Sequence, residues 1–190
     1  MNRIFAMATV ATLVAFATNA YADNYVTGVY IGGDFTQAEV NYKSPIIEGL
    51  VGPQTPNGMS VDVGWRFSKY YTVEASYFSV NGDRNSPTGT TSVQAEGIFL
   101  DGMGYLPIAH SDVSIISDVG LGWVNGKDAA SSATTIFTAS EDRFAGRIGA
   151  GVQWQASEEF GVRVLVRYQY MSFTVSKSAI MENLGFVFQF

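Results

Sequence analysis

The chain has 190 residues, of which 11 are basic and 17 acidic, so its formal net charge is −6, and it contains no cysteine. The acidic balance argues against a nucleic-acid partner, because no basic surface offsets the charge of phosphates. The lack of cysteine excludes a disulfide framework, a thiolate metal site and a thiol nucleophile. The length suits a single domain.

Residues 1–22 have the pattern of a secretory signal peptide. Arg3 supplies the positive charge, residues 4–16 form an apolar run, and Ala20-Tyr21-Ala22 provides the small residues that a signal peptidase accepts. The run is shorter than the ~20 residues of a membrane-spanning helix. A retained N-terminal anchor is the alternative. The pattern predicts an exported domain comprising residues 23–190.

The exported part alternates between apolar and polar residues in eight segments, which predicts eight β-strands. They cover about 27–39, 59–68, 71–77, 92–106, 113–123, 144–155, 162–170 and 180–190. In the fourth segment Glu96 and Asp101 have opposite parity, so we expect a bulge near Gly97 and assign no faces to this strand.

The predicted connections alternate in length. Those at 68–70, 107–112 and 156–159 are short, whereas those at 40–58, 79–91, 125–142 and 171–179 are longer. Short periplasmic turns and long outer loops are typical of transmembrane barrels, and an even number of strands leaves both termini on the periplasmic side. The sequence therefore predicts an all-β fold, an eight-stranded antiparallel transmembrane β-barrel with up-and-down topology.

A soluble lipocalin-like barrel also has eight alternating strands and is the main alternative. The polar faces here carry acids, arginines and many glycines, which provide too little apolar bulk for a dry soluble core. The apolar faces are rich in Val, Ile, Leu and aromatic residues, and aromatic residues such as Trp65, Trp123 and Trp154 lie near strand ends. Two aromatic girdles favour the membrane barrel.

Eight charged residues fall on the polar faces of the assigned strands and predict a charge network in the lumen. Four are acidic and four are basic: Asp34, Asp62, Glu74, Asp118, Arg66, Arg147, Arg163 and Arg167. Because side chains just fill the interior of an eight-stranded barrel, paired charges there form a plug. We interpret the network as structural, with a minor conductance as the alternative.

The positions of these residues suggest which of them pair. Arg66 and Glu74 are symmetric about the 68–70 turn, so we expect them to face each other across the hairpin. Asp118 and Arg147 are roughly symmetric about 125–142, which makes them an expected pair with a less certain register. Asp34 and Asp62 would then pair with Arg163 or Arg167 from the far wall.

The C-terminal strand is the most distinctive segment. Phe186, Phe188 and Phe190 lie on one face at a period of two, and Phe190 ends the chain. This ending, the signal peptide, the eight strands and segments such as 71–77 (YTVEASY) and 146–154 (GRIGAGVQW) resemble the small Gram-negative outer-membrane barrels. That family includes the outer-membrane protein A transmembrane domain, X-type, Ail-type and opacity-type barrels.

The resemblance implies a protein in the outer membrane of a Gram-negative bacterium, in contact with lipid and lipopolysaccharide. It implies that Phe186, Phe188 and Phe190 form the signal recognised by the β-barrel assembly machinery. It also implies a surface protein that acts through its loops, commonly in adhesion, serum resistance or envelope integrity.

Some barrels of this kind are lipid A-modifying enzymes that use a histidine near the outer leaflet. Here the single histidine, His110, lies in the 107–112 turn on the periplasmic side, and its neighbours Ser111 and Asp112 cannot readily form a triad with it. We predict no enzymatic activity, no cofactor and no metal site. Loop acids near 128 and 141–142 are a weaker cation-binding alternative.

The longer loops are the remaining candidate functional surface. Ile46, Ile47 and Leu50 are unusually apolar for a loop, and Ile136 and Phe137 lie at the centre of 125–142. No loop has a Lys/Arg cluster, which weakens a heparin-type ligand. We therefore predict loop-mediated adhesion or envelope protection with a host or environmental surface as partner. An envelope scaffold without a ligand and a small-solute pore are the alternatives.

Overall fold

A computed structural model describes residues 27–42, 55–86, 89–132, 136–171, 173 and 176–190; the predicted signal peptide lies outside them. Eight strands follow one another along the chain: β1 Gly28–Tyr42, β2 Asn57–Arg66, β3 Tyr71–Ser86, β4 Gly89–Pro107, β5 Val113–Ser132, β6 Ile136–Gln155, β7 Phe160–Met171 and β8 Ser176–Gln189. Each strand pairs antiparallel with the next, and β1 pairs with β8 to close the barrel. The predicted fold class is confirmed.

The two faces of the strands separate as the alternation predicts. On β2, Trp65 is 59% exposed on the outer surface, whereas Asp62 on the other face is 0% exposed inside the barrel. Alternate side chains of a strand point to opposite faces, so one face meets lipid and the other fills the lumen. In the described part of the chain no helix is long and apolar enough to cross a membrane.

Two of the predicted long loops, 79–91 and 125–142, are wrong, because nearly all of their residues belong to strands. The β3–β4 ladder continues to the Ser86–Gly89 pair, and the β5–β6 ladder continues to the Ser131–Ile136 pair. These segments are rich in Ser, Thr, Ala and Gly. The apolar–polar alternation that marks the other strands is lost in these segments, although the backbone pairing persists.

The expected bulge in β4 is also wrong. Its pairing with β3 and with β5 proceeds without a register shift from Gly89 through Gly104. Asp101 points into the lumen and is buried, whereas Glu96 is exposed on the outer surface. Both positions are compatible with one regular strand, because Glu96 lies beyond the end of the lipid-facing segment, where an outward charge meets water.

The three short connections are present at 67–70, 108–112 and 156–159. The β2–β3 ladder ends at the Arg66–Thr72 pair, which places Glu74 opposite Gly64. The expected pairing of Arg66 with Glu74 across this hairpin is therefore wrong by two residues. The reason is that a turn centred on Lys69 places residue 72, and not residue 74, opposite Arg66.

Candidate functional site: the filled lumen and the projecting sheet

All eight predicted network residues are buried in the lumen. Arg163 of β7 is at the centre and is fully buried between three carboxylates. Its Nε and Nη2 donate to the two oxygens of Asp34 at 2.9 Å each, Nη1 donates to Oε2 of Glu74 at 2.6 Å, and Nη2 donates to Oδ2 of Asp62 at 2.6 Å. Bidentate and charge-assisted bonds of this kind are the strongest that side chains make.

Arg167, four residues along β7, extends the network towards the opposite wall. Its Nε donates to Oδ2 of Asp118 at 2.5 Å, and its Nη2 donates to Oε1 of Glu74 at 3.3 Å. Glu74 thus bridges the two arginines of β7, and its Oε2 also accepts a hydrogen bond from the Tyr30 hydroxyl at 2.6 Å. Tyr30 was not among the predicted network residues, although its parity already placed it on the polar face of β1.

Arg147 binds Asp101, which corrects the expected Asp118–Arg147 pair. Arg147 Nε donates to Oδ1 of Asp101 at 2.7 Å, and its guanidinium lies 4.2 Å from the centre of the Phe99 ring. In the β5–β6 ladder Arg147 faces Gly120, two positions from Asp118. Sequence analysis missed Asp101 because the suspected bulge left the faces of β4 unassigned. With Asp101 the network has five carboxylates and four guanidinium groups.

Arg66 lies towards the turn end of the lumen. Its guanidinium is 4.3 Å from the centre of the Tyr105 ring, and the side chain is buried. An arginine over an aromatic face gains a cation–π attraction that is stronger where water is excluded. Arg66 therefore extends the charged layer to the part of the barrel nearest the short turns.

Lumenal glycines make room for these large side chains. A Cβ at Gly64 would overlap the Tyr30 ring, and a Cβ at Gly120 or Gly185 would overlap the carboxylate of Asp101 or Asp34 respectively. Outward-facing Gly146 is different, because a Cβ there would meet its nearest neighbour, the Leu121 side chain, only at 3.8 Å. The small residues on the polar faces are thus part of the packing of the charge network.

Apolar clusters lie on both sides of the charged layer, which corrects the expectation that the lumen has little apolar bulk. Met103, Tyr105, Ile116 and Leu165 form the cluster at the turn end. The cluster at the loop end consists of Ala38, Phe78, Val80, Phe99, Val124, Ala145, Met171, Phe173, Ala179 and Met181. Charges and apolar groups together fill the described lumen, so the geometry is that of a plug and supports a structural role.

The outer surface changes from apolar to polar between two adjacent cross-strand rows on β3–β6. One row is Tyr77, Ile98, Trp123 and Phe144, and the next is Ser79, Glu96, Asn125 and Asp142. The first row is 47–60% exposed, as expected for side chains in lipid. The second row marks the outer end of the lipid-facing surface on this wall.

Beyond that row the four strands continue as a sheet, here called the projecting sheet. It comprises residues 79–86 of β3, 89–96 of β4, 125–132 of β5 and 136–142 of β6. The candidate contacts Ile136 and Phe137 fall at the start of β6, whereas Ile46, Ile47 and Leu50 lie outside the described residues.

The C-terminal aromatic residues all face outwards. Phe186, Phe188 and Phe190 are 50%, 47% and 76% exposed, and the Phe190 amide donates to the Val29 carbonyl at 2.9 Å. The bond ties the last residue to the first strand, where the barrel closes.

His110 lies in the 108–112 turn with a φ of 61°, a left-handed conformation that turns allow. Ser111 in the same turn donates its hydroxyl to the Ile108 carbonyl at 3.0 Å. The turn is at the end of the barrel opposite the projecting sheet. Among the described residues no group of three or more His, Cys, Asp or Glu side chains is placed to hold a metal ion.

The chain belongs to the family described as outer membrane protein beta-barrel domain, whose model matches residues 8–190. This confirms the resemblance to outer-membrane barrels and places the protein in the outer membrane. A search of curated proteins found no match.

Solved structures share the fold at low sequence identity. Neisserial surface protein A is 13% identical, with a TM-score of 0.63 over 86% of this chain and 98% of that one. The attachment invasion locus protein Ail of Yersinia pestis, in complex with the heparin analogue sucrose octasulfate, is 17% identical, with a TM-score of 0.58 over 86% and 100%. OprG from Pseudomonas aeruginosa is 12% identical, with a TM-score of 0.52 over 89% and 99%.

Proposed function

We propose that this protein is a non-enzymatic surface-interaction protein whose barrel anchors the projecting sheet at the outer face of the membrane. The observation that carries the proposal is the continuation of β3–β6 past the last lipid-facing row. Ser79–Ser86 in β3 alone adds eight residues. At about 3.3 Å per residue and the usual strand tilt, the sheet rises roughly 20 Å beyond that row.

An ordered extension of this length is not needed to span the membrane. Fixing the backbone of each residue costs about 1–2 kcal/mol, and only pairing and packing offset that cost. The loop-end apolar cluster supplies part of the packing, because Phe78, Val80 and Val124 at the base of the sheet are buried in it. The sheet is therefore a rigid support for contacts above the membrane.

The outer part of β6 offers a way to bind a polypeptide. In the described residues β6 pairs with β7 only from the Ala145–Met171 pair onwards, while β6 itself begins at Ile136. A strand edge can pair its amide and carbonyl groups with an extended segment of another protein. The charges on the projecting sheet point the same way: five acidic and two basic residues do not form the basic cluster that a polyanion requires.

Ail provides a related example of a surface protein on this fold, described as an attachment invasion locus protein and crystallised with a heparin analogue. The charge of the projecting sheet differs from what such a ligand needs. We therefore propose a protein partner on a host or environmental surface.

The test is attachment of a poorly adherent Gram-negative host displaying the protein to epithelial cells and matrix proteins. In one variant, residues 127–140 are replaced by Asn-Gly, a pair that closes tight hairpins, so that Gly126 remains opposite Glu141. In the matched control, residues 82–93 are replaced in the same way, so that Asn81 remains opposite Gln94. Surface levels are equalised before attachment is compared.

Attachment that is lost with the β5–β6 change and retained with the β3–β4 change supports the proposal. Equal attachment by all forms, or attachment by none, would contradict it. If none attach but deletion of the gene sensitises cells to bile salts, and both shortened forms restore resistance, the envelope-scaffold alternative replaces it.

A further inference from the structure

The outer wall of β3–β5 has a polar cavity of about 170 Å³. It is lined by Ser79, Val80, Asn81, Gln94, Ala95, Glu96, Asn125 and Lys127. The volume is several times the ~30 Å³ that one water molecule occupies in the liquid, so the cavity has room for a group the size of a sugar ring.

The position of the cavity on the outer wall indicates which molecules lie next to it. Its polar residues belong to the two outward rows that directly follow the lipid-facing Tyr77, Ile98 and Trp123. Groups at this height on the outside of a membrane barrel meet the headgroups of the outer leaflet. The molecules nearest the cavity are therefore lipids, and the part of each lipid at this level is polar.

The side chains around the cavity form a set that both donates and accepts hydrogen bonds. Asn81 faces Gln94 across β3 and β4, and Glu96 faces Asn125 across β4 and β5. Each carboxamide offers two donors and an acceptor, whereas a carboxylate accepts only. Neighbouring hydroxyls of a sugar need donors and acceptors close together, and this arrangement provides them.

Two hydrogen bonds hold the polar wall in place. The Tyr77 hydroxyl donates to Oε2 of Glu96 at 3.1 Å, and Nδ2 of Asn125 donates to Oδ1 of Asp142 at 2.7 Å. The Tyr77 ring, 47% exposed, lies just on the lipid side of the cavity, where tyrosine is favoured because one end of it is apolar and the other polar.

The charge of the wall distinguishes a sugar from a phosphate. Lys127 is the one cation and Glu96 the one anion among the lining residues. A phosphate site would use several Arg or Lys donors, and Glu96 would repel the anion. We propose that this cavity binds the saccharide headgroup of an outer-leaflet glycolipid.

The test measures lipid binding by the protein in phospholipid nanodiscs, with deep-rough lipopolysaccharide as the glycolipid probe and phosphatidylglycerol as the anionic lipid without sugar. The cavity variant is Asn81→Ala with Gln94→Ala. The matched control is Gln37→Ala with Asn57→Ala, because these carboxamides are also exposed and face each other across β1 and β2 but do not line the cavity. Apparent affinities come from titration followed by native mass spectrometry.

We expect the cavity variant to bind the glycolipid about tenfold more weakly, a change of about 1.4 kcal/mol, since several hydrogen bonds are removed. Its affinity for phosphatidylglycerol and both affinities of the control variant should remain at the wild-type values. Unchanged glycolipid binding, or an equal loss in the control variant, would overturn the proposal. An equal loss for both lipids would also overturn it, because the site would then recognise charge and not sugar.

Discussion

Replacing Arg163 by methionine should strongly destabilise the barrel. The change keeps an unbranched side chain of similar reach but removes the one guanidinium that binds Asp34, Asp62 and Glu74 together. Removing one partner of a buried ion pair costs about 3–5 kcal/mol, because the remaining charge is left without compensation. Arg167 lies 3.3 Å from Glu74 and so compensates part of the loss. We therefore expect a loss of about 3 kcal/mol in the free energy of unfolding.

The assay is urea unfolding of the refolded protein in detergent micelles, followed by tryptophan fluorescence. Trp65, Trp123 and Trp154 are all on the outer surface of the barrel, so their emission reports on contact with the micelle. With a slope of about 1–3 kcal/mol per molar urea, a loss of 3 kcal/mol lowers the midpoint by roughly 1–3 M.

Arg143→Met is the matched control. Arg143 forms an ion pair with Glu141 at 3.3 Å, but its side chain is 46% exposed at the outer end of the barrel. Solvent-exposed pairs contribute about 0–1 kcal/mol, so this variant should unfold near the wild-type midpoint. Adding Asp62→Asn to Arg163→Met should restore part of the stability, because it removes one stranded charge. Equal midpoints for the two methionine variants would refute the view that the network is a buried, mutually dependent unit.

Three further predictions concern the lumen and the C-terminus. Gly64→Ala should lower the free energy of unfolding by about 1–3 kcal/mol because its Cβ would overlap the Tyr30 ring, whereas Gly102→Ala, with no atom nearer than 4.0 Å, should be close to neutral in the same urea titration. Planar-bilayer recordings of the wild type and of Phe173→Ala should show no steady conductance, because the charged layer still fills the lumen beneath this residue; steady openings in either would show that the plug is incomplete. Phe190→Ala should reduce the amount of folded barrel in the outer membrane of cells while leaving spontaneous refolding in detergent unchanged, and an equal loss in both measurements would argue against a role as an assembly signal.

The sequence determined the number of strands, the faces of all of them except β4, and the three short turns. The reason is the surroundings of the strands: lipid on one side and a polar lumen on the other impose a period of two over the spanning part of each strand. Trp65 and Asp62 on β2 illustrate the result. They are an odd number of residues apart, so the alternation predicted that one would face lipid and the other the lumen. In the outer parts of β5 and β6 the apolar–polar period disappears from the sequence, and strands were mistaken for a loop.

Tertiary structure decided which charges meet. The β2–β3 hairpin is centred on Lys69 and places Glu74 opposite Gly64, so Glu74 meets the arginines of β7 and not Arg66. Arg147 of β6 reaches Asp101 of β4 across β5, and Arg163 of β7 reaches Asp62 of β2 across the lumen. Contacts between strands that are not neighbours depend on the curvature and stagger of the closed barrel, which arise only when β1 pairs with β8.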